Sequence, residues 1–159
     1  MKPTEDSMAH VLVNYHFDPR RSICVPNVSW GFMPWEADLL VASGSRRLTE
    51  VEIKISYGDL KADLAKHKHK LRTSDRLIHK FFYAVTPAIW ERLQRDSLPL
   101  VEVAGIIVVH FEPVFKCEIV RSATANKNAD RLTNAQYFRL MRLGVMRYWT
   151  RQSNRFAVE

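Results

Sequence analysis

Hydrophobic and polar positions alternate most cleanly in "TEVEIKIS", residues 49–56. In an extended chain Val51, Ile53 and Ile55 fall on one side, and Glu50, Glu52 and Lys54 on the other. The apolar run "ADLLVAS" at 37–43 reads as the preceding strand, and "GSRR" supplies a hairpin turn between the two. Upstream the pattern is weaker: a short helix over about 8–15, a loop over 19–26 and a mixed first strand over 27–32. Ser56, three residues before Asp59, opens a helix reaching about residue 71, with Leu60, Leu64, His67 and Leu71 on one face. "HKFFYAVT" follows as a buried strand, and Thr86 with Pro87 starts a helix running to about residue 95. "AGIIVV" is the most apolar strand, and "VFKCEIVR" alternates like a strand near a sheet edge.

A polar loop at 122–130, expected to be mobile, leads to a capping box of Thr133 and Gln136. That box opens a last helix at about 133–151, whose Phe138, Met141, Val145 and Trp149 are expected to face inward. Gly144 weakens it slightly. The order hairpin, helix, strand, helix, strand, strand, helix predicts an α/β fold, a single mixed-sheet domain flanked by helices.

Composition narrows the picture. A chain of 159 residues, 47% of them apolar, suits one domain with a real core rather than disorder. The longest apolar run, 103–109, is too short to cross a bilayer, and residues 1–19 lack a signal-peptide pattern, so a cytoplasmic location is expected. Cys24 and Cys117 make neither a disulfide framework nor a zinc motif and read as idle thiols in a reducing compartment. A formal charge of +7 suits a polyanionic partner, most simply nucleic acid.

The chemistry concentrates on the polar side of residues 49–56. Glu50, Glu52 and Lys54 project together, each about 6–7 Å from the next, and antiparallel pairing lets Asp38 approach Glu52 across the hairpin. Clustered carboxylates repel unless a positive charge sits among them. A divalent cation such as Mg2+ answers that need, since two carboxylates and a backbone carbonyl suffice to hold it. A lysine one strand step away can orient or deprotonate the attacking water, or stabilise charge building on a phosphate. The ordinary alternative is a solvated strand face with a surface ion pair.

Asp38, the hairpin, Glu52-Ile53-Lys54 and the following helix together resemble the PD-(D/E)XK nuclease superfamily. The resemblance covers about residues 27–85 and implies a restriction-endonuclease-like architecture and a Mg2+-dependent endonuclease acting on DNA, with Mn2+ able to substitute. It implies Asp38 and Glu52 as metal ligands, the carbonyl of Ile53 as an additional ligand, and Lys54 as the catalytic lysine. Glu36 is a further candidate ligand, Glu5 a weaker one from the first helix, and Lys66 and Lys70 the candidates to contact the scissile phosphate. The family's Pro-Asp pair is replaced here by Glu36-Ala37-Asp38, with Pro34 upstream. Asp59-Leu60-Lys61 repeats the acid-x-lysine spacing, but on a helix with no strand to present it. Glu50 is placed outside the site.

"KHKHKLR", with Lys66, Lys68, Lys70 and Arg72, can gather phosphates, although a solvated basic face is as common a reason for such a run. His67 and His69, two apart, point in different directions and make a poor zinc pair. Arg139, Arg142, Arg147 and Arg151 beside Tyr148 and Trp149 offer a second phosphate-contacting face, but a solubilising surface over core-facing aromatics is the commoner arrangement. No Gly-rich phosphate loop or serine-nucleophile elbow is present. Three readings follow: a metal-dependent nuclease, a non-catalytic nucleic-acid-binding module, and a subunit of a phage or mobile-element DNA-processing complex. A homodimer is compatible with each.

Overall fold

The structure, a computed structural model, describes residues 3–28, 31–64 and 76–156. Helix α1, Glu5–Leu12, is opened by a capping box in which Thr4 and Ser7 satisfy each other's backbone N–H groups, and it runs into a π-helical turn at Val13–Phe17. Six strands follow in one sheet: β1 Ser22–Val28, β2 Ala37–Ser43, β3 Leu48–Lys54, β4 Ile78–Val85, β5 Gly105–His110 and β6 Lys116–Arg121. Between them lie α2, Tyr57–Leu64, after β3 and α3, Pro87–Asp96, after β4; α4, Asn134–Phe156, ends the chain. The sheet order is the chain order, β1 to β6.

Strands β1, β2 and β3 form an antiparallel meander, β3–β4 and β4–β5 pair parallel, and β6 returns antiparallel to β5. The domain is therefore α/β with a mixed sheet, as the alternation of patterns predicts. Parallel pairs require crossovers, and α2 and α3 supply them. Each face of the sheet holds its own core. One packs Met8, Val11 and Leu12 of α1 against Leu39, Val41, Val51 and Ile53. The other packs Leu60, Ile89, Leu93 and Leu140 against Leu40, Leu48, Tyr83 and Ile106.

Four sequence expectations need correction. The first helix begins earlier than residue 8, because its cap is Thr4, and its backbone continues past residue 15 as a π-helical turn to Phe17. The expected loop at 19–26 is largely strand: β1 spans Ser22–Val28 and carries Pro26, which an edge strand tolerates because the missing N–H faces away from the sheet. Asn27 has φ 51°, yet the register is unbroken across it, with Pro26 opposite Leu39 and Val28 opposite Ala37, so β1 lies largely upstream of the strand expected over 27–32. The polar loop at 122–130 is tied to the sheet by backbone bonds from the N–H of Thr124 to Val103 O and of Asn126 to His79 O.

The largest correction concerns α4. The capping box forms as expected, with Gln136 N donating to Thr133 Oγ1 at 3.2 Å and Thr133 N to Gln136 Oε1 at 2.9 Å. The helix is nevertheless rotated relative to the expected face. Leu140 is fully buried, and Gly144 lies so close to β1 that an added Cβ would sit 3.3 Å from Val25. Phe138, Val145 and Trp149 point to solvent and are 67%, 57% and 62% exposed, with Met141 also exposed. Both faces of this helix carry apolar residues, so periodicity alone leaves its rotation open, and the glycine decides it by allowing close approach.

Candidate active site

The polar side of β3 is not a solvated surface. Because β3 is an interior strand, its polar side faces the core beneath α2 and α3, so Glu50, Glu52 and Lys54 are all buried, Glu52 to 1% exposure. The surface ion-pair alternative is thereby overturned. Burying this many charges is costly unless each finds a partner.

Lys54 is the hub. Its ammonium lies 2.9 Å from Glu52 Oε2, 3.6 Å from Asp38 Oδ2 and 3.7 Å from Asp63 Oδ1. Burial works against its charge, but Glu52, Asp38 and Asp63 together outweigh that and hold the ammonium well above the usual lysine range. Asp38 stands at the start of β2, diagonal to the end of β3, and accepts a 2.8 Å hydrogen bond from Ile53 N. The hairpin brings Asp38 toward Glu52, as expected, but the positive charge between them is the Lys54 ammonium. Asp38 is half-buried; desolvation first, and then the charge of Glu52, push its carboxyl up to about 6, against the pull of Lys54 and the Ile53 N–H.

Two further acids belong to the same buried face. Asp63 of α2 is completely buried and accepts a 3.2 Å hydrogen bond from the Tyr83 hydroxyl of β4, where Tyr83 is the register partner of Glu52. From sequence, Asp63 reads only as a helical ion-pair partner of Lys66 at i,i+3 or His67 at i,i+4. The available signal was its position four residues after Asp59 on the Leu60 side of the helix that returns over β3, together with the Ser56 cap, whose Oγ accepts from Asp59 N at 3.1 Å. Glu50, placed outside the site from sequence, is fully buried one strand step behind Glu52 and accepts a 3.0 Å hydrogen bond from the Trp35 indole. It belongs to the cluster's inner wall.

Other expected residues lie elsewhere. Glu36 is exposed, outside the buried group. Glu5, in the first turn of α1, is exposed, yet its charge contributes to raising the Asp38 carboxyl. The decoy acid Asp59 and its lysine, Lys61, sit on the outer part of α2. Lys66, Lys68, Lys70 and Arg72 lie outside the described residues. Cys24 and Cys117 are free and distant from the cluster, and burial pushes both thiols up to about 11, as idle thiols require.

The donor set is suited to a hard cation but is not a closed cage. Among the described residues no three carboxylates, imidazoles or thiols converge on an empty centre, because the Lys54 nitrogen stands between the acids. Three carboxylates face that single ammonium, and desolvation together with the charge of Glu52 raises the Asp38 carboxyl. Mg2+ binds through one or two carboxylates and keeps its waters, so Asp38 and Glu52 satisfy its requirement without a third acid. The cluster lies toward the carboxyl end of β3, which pairs antiparallel with β2 and parallel with β4.

Comparisons with known proteins add the fold alone. No family model matches the chain, and a search of curated proteins returns no match. A solved structure, the SPO1766 protein of unknown function from Silicibacter pomeroyi, is similar over 96% of this chain and 91% of that one, with a TM-score of 0.60 and 17% identity. The chain thus has the α/β mixed-sheet architecture of that protein, at an identity that extends to nothing beyond the fold.

Proposed function

We propose that this chain is a metal-dependent nuclease that hydrolyses phosphodiester bonds, most simply in DNA. The observation that carries the reading is the burial of Glu52 and Lys54 side by side at the end of an interior strand, with Asp38 on the same ammonium. A protein does not ordinarily desolvate a lysine and several acids where apolar residues would pack as well. The hairpin β2–β3, the crossover α2 and the parallel β4 also match the order of a restriction-endonuclease-like core.

In this reading Asp38, Glu52 and the Ile53 carbonyl hold Mg2+ or Mn2+, which supplies Lewis acidity toward the phosphate and eases deprotonation of water. Lys54, surrounded by three carboxylates, stays an ammonium, so it acts as a hydrogen-bond donor to the phosphate as negative charge develops there. Asp63, held by Tyr83, and Glu50, held by Trp35, fix the positions of Lys54 and Glu52 from behind. Lys66, Lys68, Lys70 and Arg72 gather the substrate's phosphates. This small domain has little room for a separate target-reading part, which favours structure-specific or weakly specific cutting.

One feature favours the non-catalytic binding module instead: Lys54 already answers three acids within 4 Å, so the cluster holds together without metal. Plasmid and single-stranded DNA incubated with the protein in Mg2+, Mn2+ or EDTA, beside Glu52→Ala and Lys54→Ala, separates the two. Metal-dependent cleavage absent from both variants supports the nuclease. Equal DNA binding by all three proteins with no cleavage on any substrate supports the binding module.

A further inference from the structure

Helix α4 leaves in water the residues that its sequence pattern assigns to the core. Phe138, Met141, Val145, Met146, Tyr148 and Trp149 are all exposed, although Leu140 and Gly144 on the opposite side pack against the sheet. The charge on the same helix is one-sided. It carries arginines at 139, 142, 147, 151 and 155 and no acidic residue, so whatever covers it should be anionic.

Spacing decides among anionic partners. Phe138, Arg142, Val145 and Trp149 fall in one row at intervals of four, three and four residues, so a guanidinium lies in line with the rings rather than beside them. A lipid surface would have to bury Arg142 together with the rings on either side of it. A second copy of the chain would bring the same arginines together with no acid to answer them. A nucleic-acid strand needs both components in one line, rings for bases and guanidinium for phosphates. Paired bases in a duplex already stack on their neighbours, so free rings select bases that have no partner.

The row ends beside α1, where Arg151 pairs with Asp6 in the first turn of that helix. From Phe138 to Trp149 the row spans about 16 Å, at 1.5 Å per helical residue, room for more than one base.

We propose that the outward face of α4 is a stacking track for single-stranded nucleic acid. That such a strand is also the substrate of the site at the end of β3 rests on the nuclease reading; the track itself does not. The test is fluorescence anisotropy of a labelled oligothymidylate of about 16 nucleotides, at the upper end of one-site footprints, against a duplex of equal length. Both are measured in EDTA, so that nothing is cut.

The expected result is at least about tenfold tighter binding of the single strand. Trp149→Ala and Phe138→Ala should each weaken that binding by roughly tenfold, as the loss of one base–aromatic stack does, with duplex binding and thermal melting unchanged. Arg142→Gln should lower the salt slope for the single strand by about 0.7. Equal affinity for the two forms overturns the proposal, as does binding insensitive to both ring substitutions. It is equally overturned by a dimer that Trp149→Ala dissociates, or by tighter binding to phosphatidylglycerol vesicles than to the oligonucleotide. Cleavage by the wild type with no effect of Trp149→Ala sinks the track and leaves the nuclease. Ring-dependent binding of the single strand without cleavage of any substrate sinks the nuclease and leaves the track.

Discussion

Strand β3 and helix α4 break the inside-outside rule in opposite directions. At β3 two glutamates and a lysine are buried where a strand usually turns apolar residues inward; at α4 rings and methionines stand in water where a helix usually buries them. The two departures differ in how they are stabilised. The β3 cluster is held by directed contacts, each acid meeting an ammonium, an indole or a hydroxyl. The rings of the α4 face stay largely exposed among the described residues, with Tyr148 and Trp149 meeting edge to face. An internal polar cluster that is fully partnered can serve a local site, whereas an apolar face left open needs something from outside.

The contrast predicts very different sensitivities. Lys54→Met leaves three carboxylates without their shared cation, and urea denaturation in EDTA should show a loss of about 3–5 kcal/mol, partly recovered in Mg2+. Leu140→Ala, on the inner side of α4, should cost about 2–5 kcal/mol in the same titration. Trp35→Phe removes the donor to a buried carboxylate and should lower stability by about 1–3 kcal/mol, read by calorimetry. Tyr83→Phe takes away a single 3.2 Å bond to Asp63, a loss of about 1 kcal/mol that chemical denaturation can resolve. The smallest effect belongs to Val145→Ala, whose midpoint should stay within about 0.5 kcal/mol of the wild type. A large loss for Val145→Ala, or a small one for Lys54→Met, would break the comparison at that end.

The sequence made some of this architecture easy to read. Residues 37–54 could be read as a hairpin because an apolar run and a stretch alternating with period two flank a turn rich in Gly and Ser, and Asp38, Glu52 and Lys54 follow from its register. Asp63 was harder to place, because its role depends on a helix folding back over β3, a tertiary contact with no local signature. The burial of Glu50 is hidden in the sequence for a related reason: the indole that bonds it, Trp35, lies fifteen residues away on the segment before β2. The rotation of α4 was illegible because Phe138 and Leu140 are equally apolar, and only the approach to Val25 selects between the faces.

Pro26 and Asn27 have a consequence for how the molecule meets its own kind. A free sheet border invites another strand to add to it, which is how many soluble domains begin to polymerise. On β1 that border lacks one donor at Pro26, and Asn27 turns the backbone out of line in the following position. An incoming strand therefore finds an interrupted row of donors along β1. The opposite border, β6, contains no proline and instead presents the charged pair Lys116 and Glu118.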